Sequence, residues 1–130
     1  MMTTCPCGTT QSYQNCCGKF ITGQQIPATP EELMRSRYTA YTKTNMVYIA
    51  RTMLSPAADH FDAKTARTWA KKVRWRKLEV INTSIQDKTG FVEFIAHFYE
   101  GPQKHILHEI SEFHLIAGVW FYVNGHRRVD

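Results

Sequence analysis

All four cysteines of this chain fall within its first 17 residues, in the string CPCGTTQSYQNCCG: Cys5, Cys7, Cys16 and Cys17. That clustering limits what the segment can become. A disulfide framework for a 130-residue chain would spread its bridges along the sequence, whereas any bridge here would close only a tiny loop. A redox pair would present C-x-x-C near a helix start, and the spacing here is C-x-C, eight residues, then C-C. Four thiolates close in sequence can converge on one tetrahedral zinc ion with Zn–S near ~2.3 Å. Pro6 stiffens the first pair, and Gly8 allows a turn beyond it. A segment this short has no core of its own, so the metal would be its main fold determinant. Four sulfurs also close the shell, which makes the site structural rather than catalytic. Thiol chemistry and another soft metal such as copper(I) are the alternatives.

Beyond the cysteines the chain reads as helices followed by strands. Residues 18–29 mix Gly, Gln, Thr and Pro without helical periodicity. The expected organisation is therefore a zinc segment over 1–20, a connector over 21–29 and one domain over 30–130. Thr29-Pro30-Glu31-Glu32 is a helix start, with Thr29 as cap, Pro30 at the first position and Glu32 closing a capping box. That helix should run to about Thr44 and bury Leu33, Met34, Tyr38 and Tyr41. A short helix is expected over Met46–Met53, and a single turn after Ser55-Pro56. Asp62 can cap a further helix with Ala63, Ala66, Trp69, Ala70 and Val73 on its apolar side. Strands follow over Leu78–Ile85, Phe91–Tyr99, Lys104–Ile116 and Val119–Val123, with Asn124-Gly125 ending the last. The fold class is α+β: helices packed on one face of a curved antiparallel sheet, preceded by a short zinc-bound segment. The longest apolar run, Leu115–Val123, has nine residues, far short of the ~20 that a membrane-spanning helix needs.

The string CPCGTTQSYQNCCG resembles the SEC-C motif, the zinc segment at the C-terminus of the SecA translocation ATPase. That pattern is C-x-C, eight residues, then Cys followed by His or Cys. Gly8 and Tyr13 also fit it. The resemblance implies one structural zinc held by Cys5, Cys7, Cys16 and Cys17. The stretches PEELMRSRYTAYTKTN, GFVEFIAHF, HEISEF and GVWFYVNG resemble the nuclear-transport-factor-two-like (SnoaL-like) cone fold. Together with the cysteine motif they resemble the YchJ family of uncharacterised bacterial proteins.

A cone fold implies a pocket between sheet and helices, but fold alone does not name an activity. The polar residues that could aim into such a pocket are Glu93 and His97 on one strand and Glu109 and Ser111 on the next. A carboxylate among apolar walls could act as a base. The blander reading makes these surface groups, or core polar groups holding a helix arginine such as Arg35 or Arg37.

The chain carries 16 Lys+Arg against 11 Asp+Glu. Seven of those cations, and no acid, lie between Lys64 and Lys77. On a helix, Lys64, Arg67, Lys71 and Lys72 would form a basic face able to meet an acidic protein. In SecA the SEC-C segment contacts the acidic chaperone SecB, which points the same way. Trp69 and Trp75 within the basic block keep nucleic acid open as another partner. The expected protein is thus a cytoplasmic zinc-binding interaction module. A cone-pocket enzyme acting on a small apolar molecule is the alternative, and nucleic-acid binding through 64–77 the third. No secretory signal pattern opens the sequence, so a reducing compartment is expected.

Overall fold

The computed structural model describes residues 4–128. In chain order, a 3₁₀ turn at Tyr13–Asn15 leads into α1 (Cys17–Ile21), then α2 (Pro30–Thr42) and α3 (Met46–Arg51). A second 3₁₀ turn, Ala57–His60, precedes α4 (Ala63–Lys72). Four strands complete the chain: β1 (Val73–Gln86), β2 (Thr89–Glu100), β3 (Gln103–Ile116) and β4 (Val119–Arg127).

The local signals start the helices where the sequence leads one to expect. The Thr29 hydroxyl accepts the Glu32 N–H at 3.1 Å, and the Glu32 carboxylate accepts the Ala28 N–H at 2.7 Å. The Glu32 side chain thus closes on the N–H one residue before the cap rather than on that of Thr29 as the capping box predicts, and Pro30 has no N–H that needs a partner. Asp62 accepts from Lys64 and Thr65 and starts α4. α2 is buried far more broadly than a single stripe: Leu33, Ser36, Thr39 and Ala40 are all fully covered. It lies between the sheet on one side and α1 and α3 on the other.

The sheet is an antiparallel meander in the order β1-β2-β3-β4. Its register puts Phe94 between Val80 and Glu109, and Ser111 between Val92 and Gly125. Side chains alternate in β2 so that Val92, Phe94, Ala96 and Phe98 all face inward. Register shifts after Trp75, after Val80 and after Glu112 mark bulges, which bend strands and sharpen twist. The sheet therefore curls around the helices and closes one side of a cavity.

Three further local expectations are corrected. Residues 17–21 form a helix rather than irregular chain, with Phe20 and Ile21 buried in the core. Five residues are too few for periodicity to show, and tertiary burial holds them. The basic block 64–77 is not one helix. α4 stops at Lys72 and β1 starts at Val73, because Val73 and Trp75 alternate with Arg74 and Arg76 at the period of a strand. Finally, Asn124-Gly125 does not end the last strand: β4 runs through it to Arg127.

Candidate metal centre and cavity

The N-terminal cysteines approach one another through two tight turns. Gly8, at φ 99°, bends the chain after Cys7 in a region that favours glycine. The Cys5 N–H donates to Gln11 O at 2.9 Å and the Gly8 N–H to Cys5 O at 3.2 Å. Cys16 and Cys17 sit at the start of α1. All four thiols are free and buried, and their sulfurs lie within 4.8 Å of one another. Cys7 Sγ and Cys16 Sγ are 3.6 Å apart. A zinc–thiolate tetrahedron with bonds near ~2.3 Å has sulfur–sulfur edges of about 3.8 Å, so the quartet fits such an ion.

The electrostatics lead to the same fit. Hydrogen bonds from the Cys17 and Cys7 thiols hold the Cys5 thiol well below the ordinary thiol range. The same contact with Cys5 pushes the Cys17 thiol far above that range, and burial raises Cys16. One thiolate, Cys5, is thus favoured, while Cys16 and Cys17 are pushed toward the protonated thiol. Four thiolates this close need a cation between them. Outer contacts fasten the cluster to α2: the Arg35 guanidinium donates to Cys7 O at 2.7 Å, and Cys5 Sγ lies 3.7 Å from Thr39 Oγ1. Thr9 donates to Cys16 Sγ at 3.1 Å. Among the described residues this is the only cluster of metal-ligating side chains.

The second feature is a cavity of about 700 Å³ between α2, α4 and the inner sheet face. That volume lies within the ~300–1,000 Å³ typical of small-molecule sites. One end is aromatic. Tyr41, Trp69 and Trp75 meet there with Phe98 in mostly edge-to-face contacts. The Trp75 Nε1–H is buried without a partner among the described residues. The other end is polar. Glu109 Oε2 accepts from Ser111 Oγ at 2.8 Å and from the Tyr122 hydroxyl at 3.4 Å. Burial, with Glu109 close by, pushes the Tyr122 phenol up, so it stays a neutral donor. Arg37 reaches in from α2 with its guanidinium 4.5 Å from the centre of the Tyr122 ring. Its Nη1 donates to Ile49 O at 2.8 Å and to Thr52 Oγ1 at 2.7 Å.

Of the four pocket residues expected from sequence, Glu109 and Ser111 line this cavity and Glu93 and His97 do not. β2 alternates, and with Phe94 and Ala96 inward, Glu93 and His97 fall on the outer face of the sheet. There Glu93 pairs with His108 at 2.7 Å and His97 with Glu79 at 2.5 Å. The helix arginine of the blander reading is indeed held, but by α3 and Thr52. Sequence reading missed Tyr122 and Gly125. A methyl on Gly125 would press into the Tyr122 hydroxyl and stand 2.7 Å from Glu109 Oε2. That crowding explains a glycine inside a strand.

Lys64, Lys71 and Lys72 are exposed on α4, and Arg67 is half-buried. Arg74, Arg76 and Lys77 extend the charge along β1. Trp69 and Trp75 belong to the cavity wall.

A curled four-stranded meander wrapped by helices around an open cavity, with a cysteine cluster docked on its first long helix, defines a cone-fold domain carrying a metal-type N-terminal segment. The chain belongs to the YchJ-type (UPF0225) family: residues 29–125 match the YchJ middle NTF2-like domain. A UPF0225 protein of Geobacter sulfurreducens is 39% identical over 129 residues, covering 97% of this chain and 80% of its own length. The solution structure of a SEC-C motif containing protein from Rhodopseudomonas palustris superposes with TM-score 0.88 at 36% identity, covering 100% of both chains. A crystal structure of another such protein, from Psychrobacter arcticus, gives 0.79 at 31% identity, over 97% of this chain and 83% of that one. A structure named as a calcium/calmodulin-dependent protein kinase type II association domain, from Thiobacillus denitrificans, shares the fold alone. It gives TM-score 0.62 at 13% identity, over 79% of this chain and 96% of that one. Among the described residues no helix is long and apolar enough to cross a membrane.

Proposed function

We propose that the cysteine quartet holds one structural zinc ion and that the cone domain binds a small molecule in its cavity. The observation that carries the second part is the cavity itself. A side-chain-filled interior would leave only surfaces for binding, whereas this one is open and has Arg37 and Glu109 at one end of an aromatic chamber. Apolar walls with a few convergent polar groups are the usual make-up of a ligand site. The enzyme reading becomes a reading of this cavity, with Glu109 as its one carboxylate, and binding is the part that the geometry supports.

For the metal, four buried sulfurs in contact distance favour zinc, and the SEC-C resemblance supports it. Metal analysis and X-ray absorption on protein purified without chelator should give one zinc per chain with sulfur ligands only. A nitrogen in the coordination shell, or no zinc, would refute it. For the cavity, titration with uncharged aromatic alcohols should quench tryptophan emission, because Trp69 and Trp75 line the walls.

A second reading, docking of an acidic protein on the basic face, is favoured by the exposed cations Lys64, Lys71, Lys72, Arg74, Arg76 and Lys77, with Arg67 half-buried among them. Such a surface speeds encounter with a negative partner.

A further inference from the structure

The cavity's polar end is specific enough to name a ligand class, an argument that rests on reading the cavity as a small-molecule site. Arg37 is 7% exposed, and a guanidinium stays charged in a protein. Among the described residues no carboxylate forms an ion pair with it. Both protein acceptors it has, Ile49 O and Thr52 Oγ1, lie on Nη1. The Nε–Nη2 edge has no acceptor among the described residues, and Arg37 is one of the residues that line the cavity. That edge is the fork that grips a carboxylate through two parallel hydrogen bonds.

Glu109 is half-satisfied in a complementary way. Oε2 takes both protein donors, Ser111 and Tyr122, and Oε1 accepts nothing among the described residues. Tyr122 stands between the two charged groups, with its ring under Arg37 and its hydroxyl on Glu109. Donor fork and free acceptor therefore belong to the same end of the chamber. The exposed Arg127, opposite Glu109 on β4, also lines the cavity, but the buried and half-buried charges are one guanidinium and one carboxylate, which suit a head that carries one carboxylate with a hydrogen-bond donor beside it. Trp75 pairs with Phe98 across the sheet, and Glu109 with Phe94. These levels are four residues apart on β2, about 13 Å at ~3.3 Å per residue, so a flat body has room between head and indoles.

We infer that the cavity takes a small aromatic 2-hydroxy or 2-amino acid. Its carboxylate sits on the Nε–Nη2 edge of Arg37, its hydroxyl or amine donates to Glu109 Oε1, and its ring lies against Trp69 and Trp75. Neither charged group then remains with unused hydrogen-bonding capacity in a low-dielectric chamber.

The test uses the full chain with its metal retained and four probes: 3-phenyllactate, its primary amide, 3-phenylpropionate and 3-phenylpropanol. Calorimetry gives affinity, and tryptophan emission reports entry into the chamber. The acid should bind about tenfold or more tightly than its amide, the scale of lost charge-assisted hydrogen bonds. Removing the hydroxyl, as in 3-phenylpropionate, should weaken binding several-fold, and Glu109→Gln should shrink that difference. The acid–amide comparison needs no variant, so it holds even where an Arg37 substitution fails to fold. If 3-phenylpropanol binds and the acid binds no better than its amide, the ligand class is wrong and the cavity reading stands. If none of the four probes binds, both fall.

Discussion

Removing the metal should release the N-terminal segment and leave the sheet folded but weaker. The core of residues 30–125 contains no cysteine, and its strands pair only with one another apart from the bridge between Met53 and Tyr122. Beyond the cysteines themselves, the buried apolar side chains that the segment adds to that core are Phe20 and Ile21, which are 6% and 9% exposed. Full burial of each side chain is worth about 1.5–3 kcal/mol, so the two together contribute about 3–6 kcal/mol. Areas referenced to an extended chain overstate the loss, because the freed segment keeps part of its cover. The lower end, about 3 kcal/mol, corresponds to a fall in Tm of about 10–15 °C for a domain of this size. The assay is a far-UV circular dichroism melt of the full chain with and without a strong chelator under reducing conditions. Strand signal should persist at 25 °C, and the transition should move down by that amount. Complete loss of signal at 25 °C would refute the independence of the sheet. An unmoved melting temperature would show that α1 adds nothing to the core.

Gly125→Ala should destabilise the protein by about 1–2 kcal/mol in urea titrations, because the new methyl overpacks against Tyr122 and Glu109; a neutral outcome would mean that the polar cluster tolerates displacement. Reversing Lys71 and Lys72 to Glu should cost only about 0.5–1 kcal/mol in a thermal melt, since both are exposed in the last turn of α4, where cations suit the helix end. The same change should slow association with an acidic partner and flatten its salt dependence; equal rates at two salt concentrations would return this face to solvent. The Glu112 carboxyl is held below its ordinary 4.5 by hydrogen bonds from His114 and then His126. A depressed folded-state value adds stability above that ordinary value, and the contribution is lost as pH falls through the folded one. Urea midpoints of Glu112→Gln measured from pH 3 to 7 should therefore lie below those of the parent chain near neutrality and converge with them at the acid end.

The parts of the fold that were legible in the sequence are those whose signals are local. The cysteine spacing, the Thr29-Pro30 helix start, the Asp62 cap and the alternation Val92-Phe94-Ala96-Phe98 each sit within a short stretch of chain. Each specifies its element by a mechanism that needs no distant partner. The misread places needed such a partner. The helix Cys17–Ile21 is short and has its apolar residues covered by the core. Arg74, Arg76 and Lys77 look like a continuation of the basic helix until Val73 and Trp75 are given their places opposite Glu100 and Phe98. Asn124-Gly125 has the composition of a turn, but Gly125 is a glycine because Glu109 and Tyr122 occupy the space beside it. The cavity was half legible for the same reason. Glu109 and Ser111 could be named from one strand, but choosing them over Glu93 and His97 required knowing which face of β2 curls inward.

The two candidate sites share one helix, and this accounts for the burial of α2 almost all round. Arg35 and Thr39 turn toward the cysteines, the one donating to Cys7 O and the other lying beside Cys5 Sγ. Met34, Arg37, Tyr38 and Tyr41 turn toward the cavity. A helix with two functional faces has little polar surface left to mark an outside, so its hydrophobic pattern reads broad rather than striped. Packing alone could hold such a helix against the sheet. It could not by itself fix the rotation that puts the Arg37 guanidinium over Tyr122, because ridges on a helix fit a facing surface at several settings. The contacts from Cys5 and Cys7 clamp the opposite face, and Ile49 O and Thr52 Oγ1 clamp the guanidinium itself. On this account the cysteine segment stabilises the domain and also sets the angle at which one cavity wall presents its charge.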